Sequence, residues 1–208
     1  MPFRRTILAA TLLATSALAS AASAATLAEA TIPLNVRSGP GPQYAVIGAI
    51  PVRGKATIIG CIQDSLWCQI SYNGHEGWAY AQYLAANLSG RSLVLAEDRN
   101  LVPAVTYTQP SVTTGSAVAP PPRIVGTFVR PDPARQPLVL SPPPTVQTYV
   151  ASHPVDPVYL DGEAVEGVGL PEEVAINPVP GYDYDYAYVN SQPVLVDRST
   201  RRITYLYR

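Results

Sequence analysis

The chain's reactive inventory is short. It has two cysteines, Cys61 and Cys68, and two histidines, His75 and His153. That is too few for a zinc cluster or a haem-attachment motif. The C-x6-C spacing also lacks the C-x-x-C pattern of redox-active pairs. A structural disulfide is the expectation. If Asp64-Ser65 centres a two-residue turn, 63 faces 66, 62 faces 67, and Cys61 faces Cys68. Directly opposed Cα atoms lie about 4.5–5.5 Å apart, within disulfide reach. Of the 15 acidic residues, Asp183 and Asp185 share one strand face but have no third ligand in view. A solvated face is therefore expected there rather than a cation site. No G-x-S-x-G, H-E-x-x-H, P-loop or dinucleotide fingerprint is present. These residues imply no enzyme, no cofactor and no metal.

The remaining residues able to do chemistry are binders. Arg37, Tyr44, Trp67, Trp78, Tyr80 and Tyr83 form the candidate ligand-binding surface. Amphipathic aromatics beside a Gly/Pro-rich loop hold extended peptides or glycan faces. Within the set, Trp78 follows Gly77 in a strand and reads more readily as core. Tyr44 sits on an irregular loop and reads as surface. His75, beside Glu76 at a hairpin, is expected in solvent.

The elements that must position these side chains are short strands. Leu34 to Val36 is a strand, followed by the irregular run Arg37-Ser-Gly-Pro-Gly-Pro42. Ala45–Ile50 is apolar, Lys55–Cys61 is β-branched, and Trp67–Tyr72 alternates. Asn73-Gly74 is a hairpin signal, because both central residues of a type I′ turn need positive φ. Glu76–Tyr80 is the next strand, and a short helix or strand is expected around Ser92–Leu95. Strands at this spacing point to a small barrel.

Composition sets the surroundings. The chain holds 22 Pro and 14 Gly in 208 residues, and 13 of the prolines fall in 101–160. Each proline removes a donor and fixes φ, so 101–160 is expected to be an extended or disordered Pro-rich linker. Its short apolar patches, Ile124-Val125, Phe128-Val129 and Leu138–Leu140, could dock on a neighbouring sheet. Arg4-Arg5, an apolar run from Ile7 to Leu18, and the small residues Ala19–Ala24 have the order of a secretory signal peptide, 1–24, cleaved after Ala24. The Arg pair alone does not separate general from twin-arginine export. Removing it leaves 12 basic and 15 acidic residues, net −3, which argues against nucleic-acid binding. No later apolar run is long enough to span a bilayer, so no integral membrane segment is expected after signal removal.

The first unit, 31–85, carries a family resemblance. Leu34-Asn-Val-Arg-Ser-Gly-Pro-Gly41, Val46-Ile-Gly48, Trp67, Asn73-Gly74, Glu76-Gly-Trp78 and Tyr83-Leu84 stand in the order of the bacterial SH3-like (SH3b) domain, which they resemble. The resemblance implies a five- or six-stranded barrel in an exported bacterial protein. It also implies a targeting or binding module, with peptidoglycan or an envelope protein as candidate partner and a periplasmic or secreted location. In the tail, 165–208, Tyr182, Tyr184, Tyr186 and Tyr188 alternate with period two, and strands are expected at 182–189, 193–197 and 203–207. The run from Gly181-Tyr to Arg202-Ile resembles an uncharacterised domain at the C-terminus of exported alphaproteobacterial proteins. The expected fold is therefore all-β: an SH3-like barrel, a Pro-rich linker and a short antiparallel meander. Two functions follow. One is a non-catalytic envelope-binding module. The other is a structural or assembly protein pairing through its tyrosine-rich sheet.

Overall fold

The computed structural model describes residues 26–88, 90–108, 122–130 and 141–207. The expected signal peptide and the patch at Leu138–Leu140 lie outside the described residues, as do 109–121 of the Pro-rich stretch. The architecture is all-β with one short helix.

The N-terminal unit is one antiparallel sheet of eight strands. They are β1 (Thr26–Ala30), β2 (Leu34–Arg37), β3 (Val46–Ile50), β4 (Lys55–Cys61), β5 (Trp67–Tyr72), β6 (His75–Tyr80), β7 (Leu84–Leu88) and β8 (Arg91–Val94). Their spatial order is β3-β2-β6-β5-β4-β1-β7-β8. Alternation places Ala28, Ala30, Ala56, Ile58 and Ile70 in one core with Leu34, Ile50 and Leu84. Asn73 and Gly74 take φ of 51° and 80° and close the β5–β6 hairpin as their types require. Cys61 lies opposite Cys68, and the two are disulfide-bonded with Cα atoms 4.0 Å apart. The unit is larger than 31–85. β1 sits between β4 and β7, and its burial rests on alanines whose small side chains give a weak periodic signal beside the Ala-rich N-terminal run.

The C-terminal unit is a second sheet of β11 (Asn177–Pro178), β12 (Tyr184–Val189), β13 (Gln192–Asp197) and β14 (Ile203–Leu206), in that order. It is the expected meander with one short strand added. Two more elements precede it, within the stretch read as irregular. β9 (Ile124–Thr127) pairs in parallel with β10 (Tyr159–Asp161), and Phe128 packs into the second core. Helix α1 spans Pro144–Ser152. Its prolines do not oppose it. At the first helical position the missing N–H would have no partner in any case, and the fixed φ suits a helix. Val146 and Val150, one turn apart, are both fully buried.

α1 also accounts for the tyrosine stripe. Tyr184, Tyr186 and Tyr188 face it, and the Tyr186 and Tyr188 hydroxyls donate to the carbonyls of His153 (2.8 Å) and Val150 (3.2 Å). The opposite face of β12 puts Ala187 and Val189 into the second core. The carboxylate of Asp185 on that face is held by Arg198 at 2.7 Å.

Candidate functional site

The two units meet through the residues expected to bind ligand. Arg37, on β2, has its guanidinium fully committed. Nε donates to Oε2 of Glu163 at 3.0 Å and Nη2 to Oε1 at 2.9 Å. Nη1 donates to the carbonyls of Pro42 (3.0 Å) and Tyr44 (2.9 Å). Both charged side chains are 1% exposed. Asn35 adds a 2.6 Å bond to Glu163 and a 3.1 Å bond to Gln192. One carboxylate of the C-terminal unit therefore holds Arg37, and Arg37 in turn shapes the loop that carries Tyr44.

The aromatic candidates divide by burial. Trp67, 2% exposed, packs edge-on to Tyr80 at 5.3 Å inside the core. Trp78, 6% exposed, belongs to the same core, and Tyr107 covers it and Tyr44, its ring edge-on to them at 5.4 Å and 5.8 Å. The Tyr44 hydroxyl is pushed up to about 12, first by burial and then by the hydrogen bond and charge of Tyr107. Tyr80 is buried, and its hydroxyl is pushed up by that burial and then by Asp161 and Tyr83, with Arg99 opposing. Tyr83 is half-buried and is pushed up to about 12 by burial and then by Glu163.

Tyr107 arrives on a segment that crosses the barrel. The Cys61 N–H donates to the Pro103 carbonyl at 2.9 Å, and the Val105 N–H donates to the Cys61 carbonyl at 3.0 Å. The crossing is close. A Cβ at position 60 would lie 2.5 Å from Val105 Cγ1 and 2.7 Å from the Pro103 carbonyl oxygen, so only glycine fits beneath it.

The open surface is elsewhere. β2 pairs with β6 only at Arg37–Trp78. Beyond that point the β5–β6 hairpin splays from β2 and β3 and leaves a groove of about 260 Å³. Val36, Ile47 and Tyr72 line it, with His75 and Glu76 at the rim. Among the described residues β3 has a neighbour on one side only. Its Val46 and Ile47 are exposed, Ile47 by 54%. Sequence reasoning missed Asn35, Glu163 and Tyr107. Glu163 is 126 positions from Arg37, and no periodic pattern connects them. Both cysteines are bonded, and among the described residues no group of three or more His, Cys, Asp or Glu is placed to hold a metal.

The fold and the loop after Arg37 define a class. Residues 33–85 match the bacterial SH3 domain family, and residues 149–208 match a domain of unknown function, DUF1236. The chain is 42% identical over 53 residues to a Bacillus subtilis (strain 168) protein named as a putative N-acetylmuramoyl-L-alanine amidase, YrvJ. That stretch is 26% of this chain and 10% of the other protein's length. No solved structure matches the chain. A bacterial SH3 domain and a disulfide point to a protein outside the cytoplasm. Among the described residues no helix is long and apolar enough to cross a membrane.

Proposed function

We propose that this is an exported, non-catalytic cell-envelope protein, periplasmic or secreted, whose SH3-like barrel holds an extended peptide of peptidoglycan. The carrying observations are the groove between the β5–β6 hairpin and β2–β3, lined in part by β3, and the edge of β3 that no described strand pairs. An extended peptide laid there can bond to the free backbone groups of the edge while its side chains enter the groove. The match of 33–85 to bacterial SH3 domains supports the module. The 53-residue similarity to a protein named for cell-wall chemistry supports the ligand class.

In this reading the six residues expected to bind divide by task. Arg37, Trp67, Trp78 and Tyr80 position the barrel wall, and Tyr44 and Tyr83, both half-buried, keep some contact with solvent. The alternative, assembly through the tyrosine-rich sheet, has less support because α1 covers that face.

The test is co-sedimentation of the mature protein with isolated sacculi at low salt. The protein pellets with sacculi, and Ile47→Asp, which places a charge in the groove at an exposed position, leaves it in the supernatant while the melting temperature is kept. Wild-type protein remaining in the supernatant refutes peptidoglycan binding.

A further inference from the structure

We propose a second binding site, at the junction of the two units, that takes an organic ammonium group. It is separate from the β3 groove and does not rest on the peptidoglycan reading. A cleft of about 190 Å³ lies where the short turn Ala81–Tyr83 after β6, the end of β9 and the loop after β10 converge. Three aromatic side chains line it: Tyr80 and Tyr83 from the barrel and Phe128 from the segment after β9. Asp161, at the end of β10, lines it too. Neither matched domain builds this cleft alone, because Phe128 lies outside both and the other walls come from one domain each.

The charges decide the ligand. Of the two carboxylates in the cleft wall, Glu163 is consumed by Arg37 and Asn35. Asp161 makes no side-chain hydrogen bond or ion pair among the described residues, and its charge is felt at the Tyr80 hydroxyl. Of the two nearby cations, Arg99 is spent on the carbonyls of Ile62, Gln63 and Ser65. Arg130 lines the cleft as well, but it is exposed, so solvent screens its charge. The cleft thus offers one half-buried, uncommitted carboxylate among aromatic rings. Rings attract cations through their quadrupole, and weakly hydrated organic ammonium ions suit such walls best. A calcium or magnesium ion needs six or more oxygen ligands, which one carboxylate and two phenols do not supply.

Gly162 keeps the pocket open. Its φ is +115°, and a Cβ there would stand 3.3 Å from Phe128 and 3.6 Å from Tyr80. The backbone following Asp161 therefore passes between two of the rings.

Two sources share this chemistry: a primary amine, as on a lysine or diamino-acid side chain, and a quaternary ammonium headgroup. The mature full-length chain is titrated with cadaverine and, separately, with tetramethylammonium, at constant ionic strength against sodium chloride. Binding is read by calorimetry and by the fluorescence of Trp67, which touches Tyr80. We expect saturation by at least one of the two, below about 10 mM. Cadaverine alone assigns a primary amine, and tetramethylammonium assigns a quaternary group. Asp161→Asn weakens binding by about tenfold or more, and Phe128→Leu weakens it while near-UV circular dichroism and melting temperature are retained. Saturation by neither ion, or equal affinity in Asp161→Asn, overturns the proposal.

Discussion

Removing the Glu163 carboxylate should be the most damaging single change in the interface. In Glu163→Ala the Arg37 guanidinium keeps only the Pro42 and Tyr44 carbonyls and loses two charged bonds of 3.0 and 2.9 Å. Asn35 loses its 2.6 Å acceptor as well. Both partners of the pair are 1% exposed, so water does not replace what is lost. Breaking a buried pair by deleting one partner costs about 3–5 kcal/mol, because the other charge stays buried. For a chain of this size each kcal/mol shifts the midpoint by about 2–4 °C, giving a fall of roughly 6–20 °C. The assay is denaturant and thermal unfolding of the full chain. Glu163→Gln keeps the shape and should lose less. Replacing both ends, Arg37→Met with Glu163→Leu, removes the stranded charge and should recover much of the loss. Some deficit remains because the Pro42 and Tyr44 carbonyls lose their donor, at about 1 kcal/mol each. A cost below about 1 kcal/mol for Glu163→Ala, the level of an exposed pair, would refute the reasoning. The two units would then not be locked together in solution.

Three further outcomes are expected. Reducing the Cys61–Cys68 disulfide, an eight-residue loop, should lower stability by about 2.5 kcal/mol in the chain-entropy treatment, read as the difference between melts with and without reductant. Gly60→Val should push away the 103–107 segment, at about 1–3 kcal/mol, with a change in Trp78 emission as Tyr107 withdraws and faster protease cleavage near Val105. The Asp197 carboxyl is held below its ordinary value, first by the Ser199 hydroxyl, and it also accepts from both backbone N–H groups of Ser199 and Thr200. Its folded pKa is depressed, so its stabilisation is present above the ordinary carboxyl pKa of 3.8 and is lost as pH falls below that value. Asp197→Ala should therefore flatten the acid limb of the stability–pH curve below about pH 4 while lowering the plateau at neutral pH.

What could be read from the sequence was local. The Asn73-Gly74 hairpin, the opposition of Cys61 and Cys68 and the period-two meander each depend on residues within about ten positions of one another. What could not be read was long-range or disguised. The Arg37–Glu163 bond spans 126 positions, and an arginine after a strand looks the same whether it meets a ligand or a domain. α1 was hidden by Pro142-Pro143-Pro144, which reads as polyproline unless the valines at 146 and 150 are weighed as one helical face. The tyrosine stripe is legible as a face, but its partner helix lies in the Pro-rich stretch. Tyr107 sits in that same stretch, where proline content masked a residue that packs on the barrel.

These contacts narrow where a ligand can reach the barrel. Tyr107 closes the face over Trp78 and Tyr44. Glu163 closes the approach to Arg37. Among the described residues the eight-stranded sheet keeps two ends, and they differ. β8 begins with an exposed Arg91, the kind of charge that discourages strand addition. β3 runs Val46-Ile47-Gly48-Ala49-Ile50 with no charge and no proline, and four of its five residues are exposed. An uncharged, exposed edge is a liability in a protein that binds nothing there, because it invites pairing with any extended chain. A Cβ at Gly48 would meet only Val36, at 4.0 Å, so the absence of a side chain there is not demanded by packing. Small residues at 48 and 49 leave the edge backbone bare next to the groove. An incoming chain would be held mainly by backbone bonds, with Ile47 and Tyr72 as the apolar contacts. Selection by such an edge favours extended, small-residue peptides over bulky or helical ones.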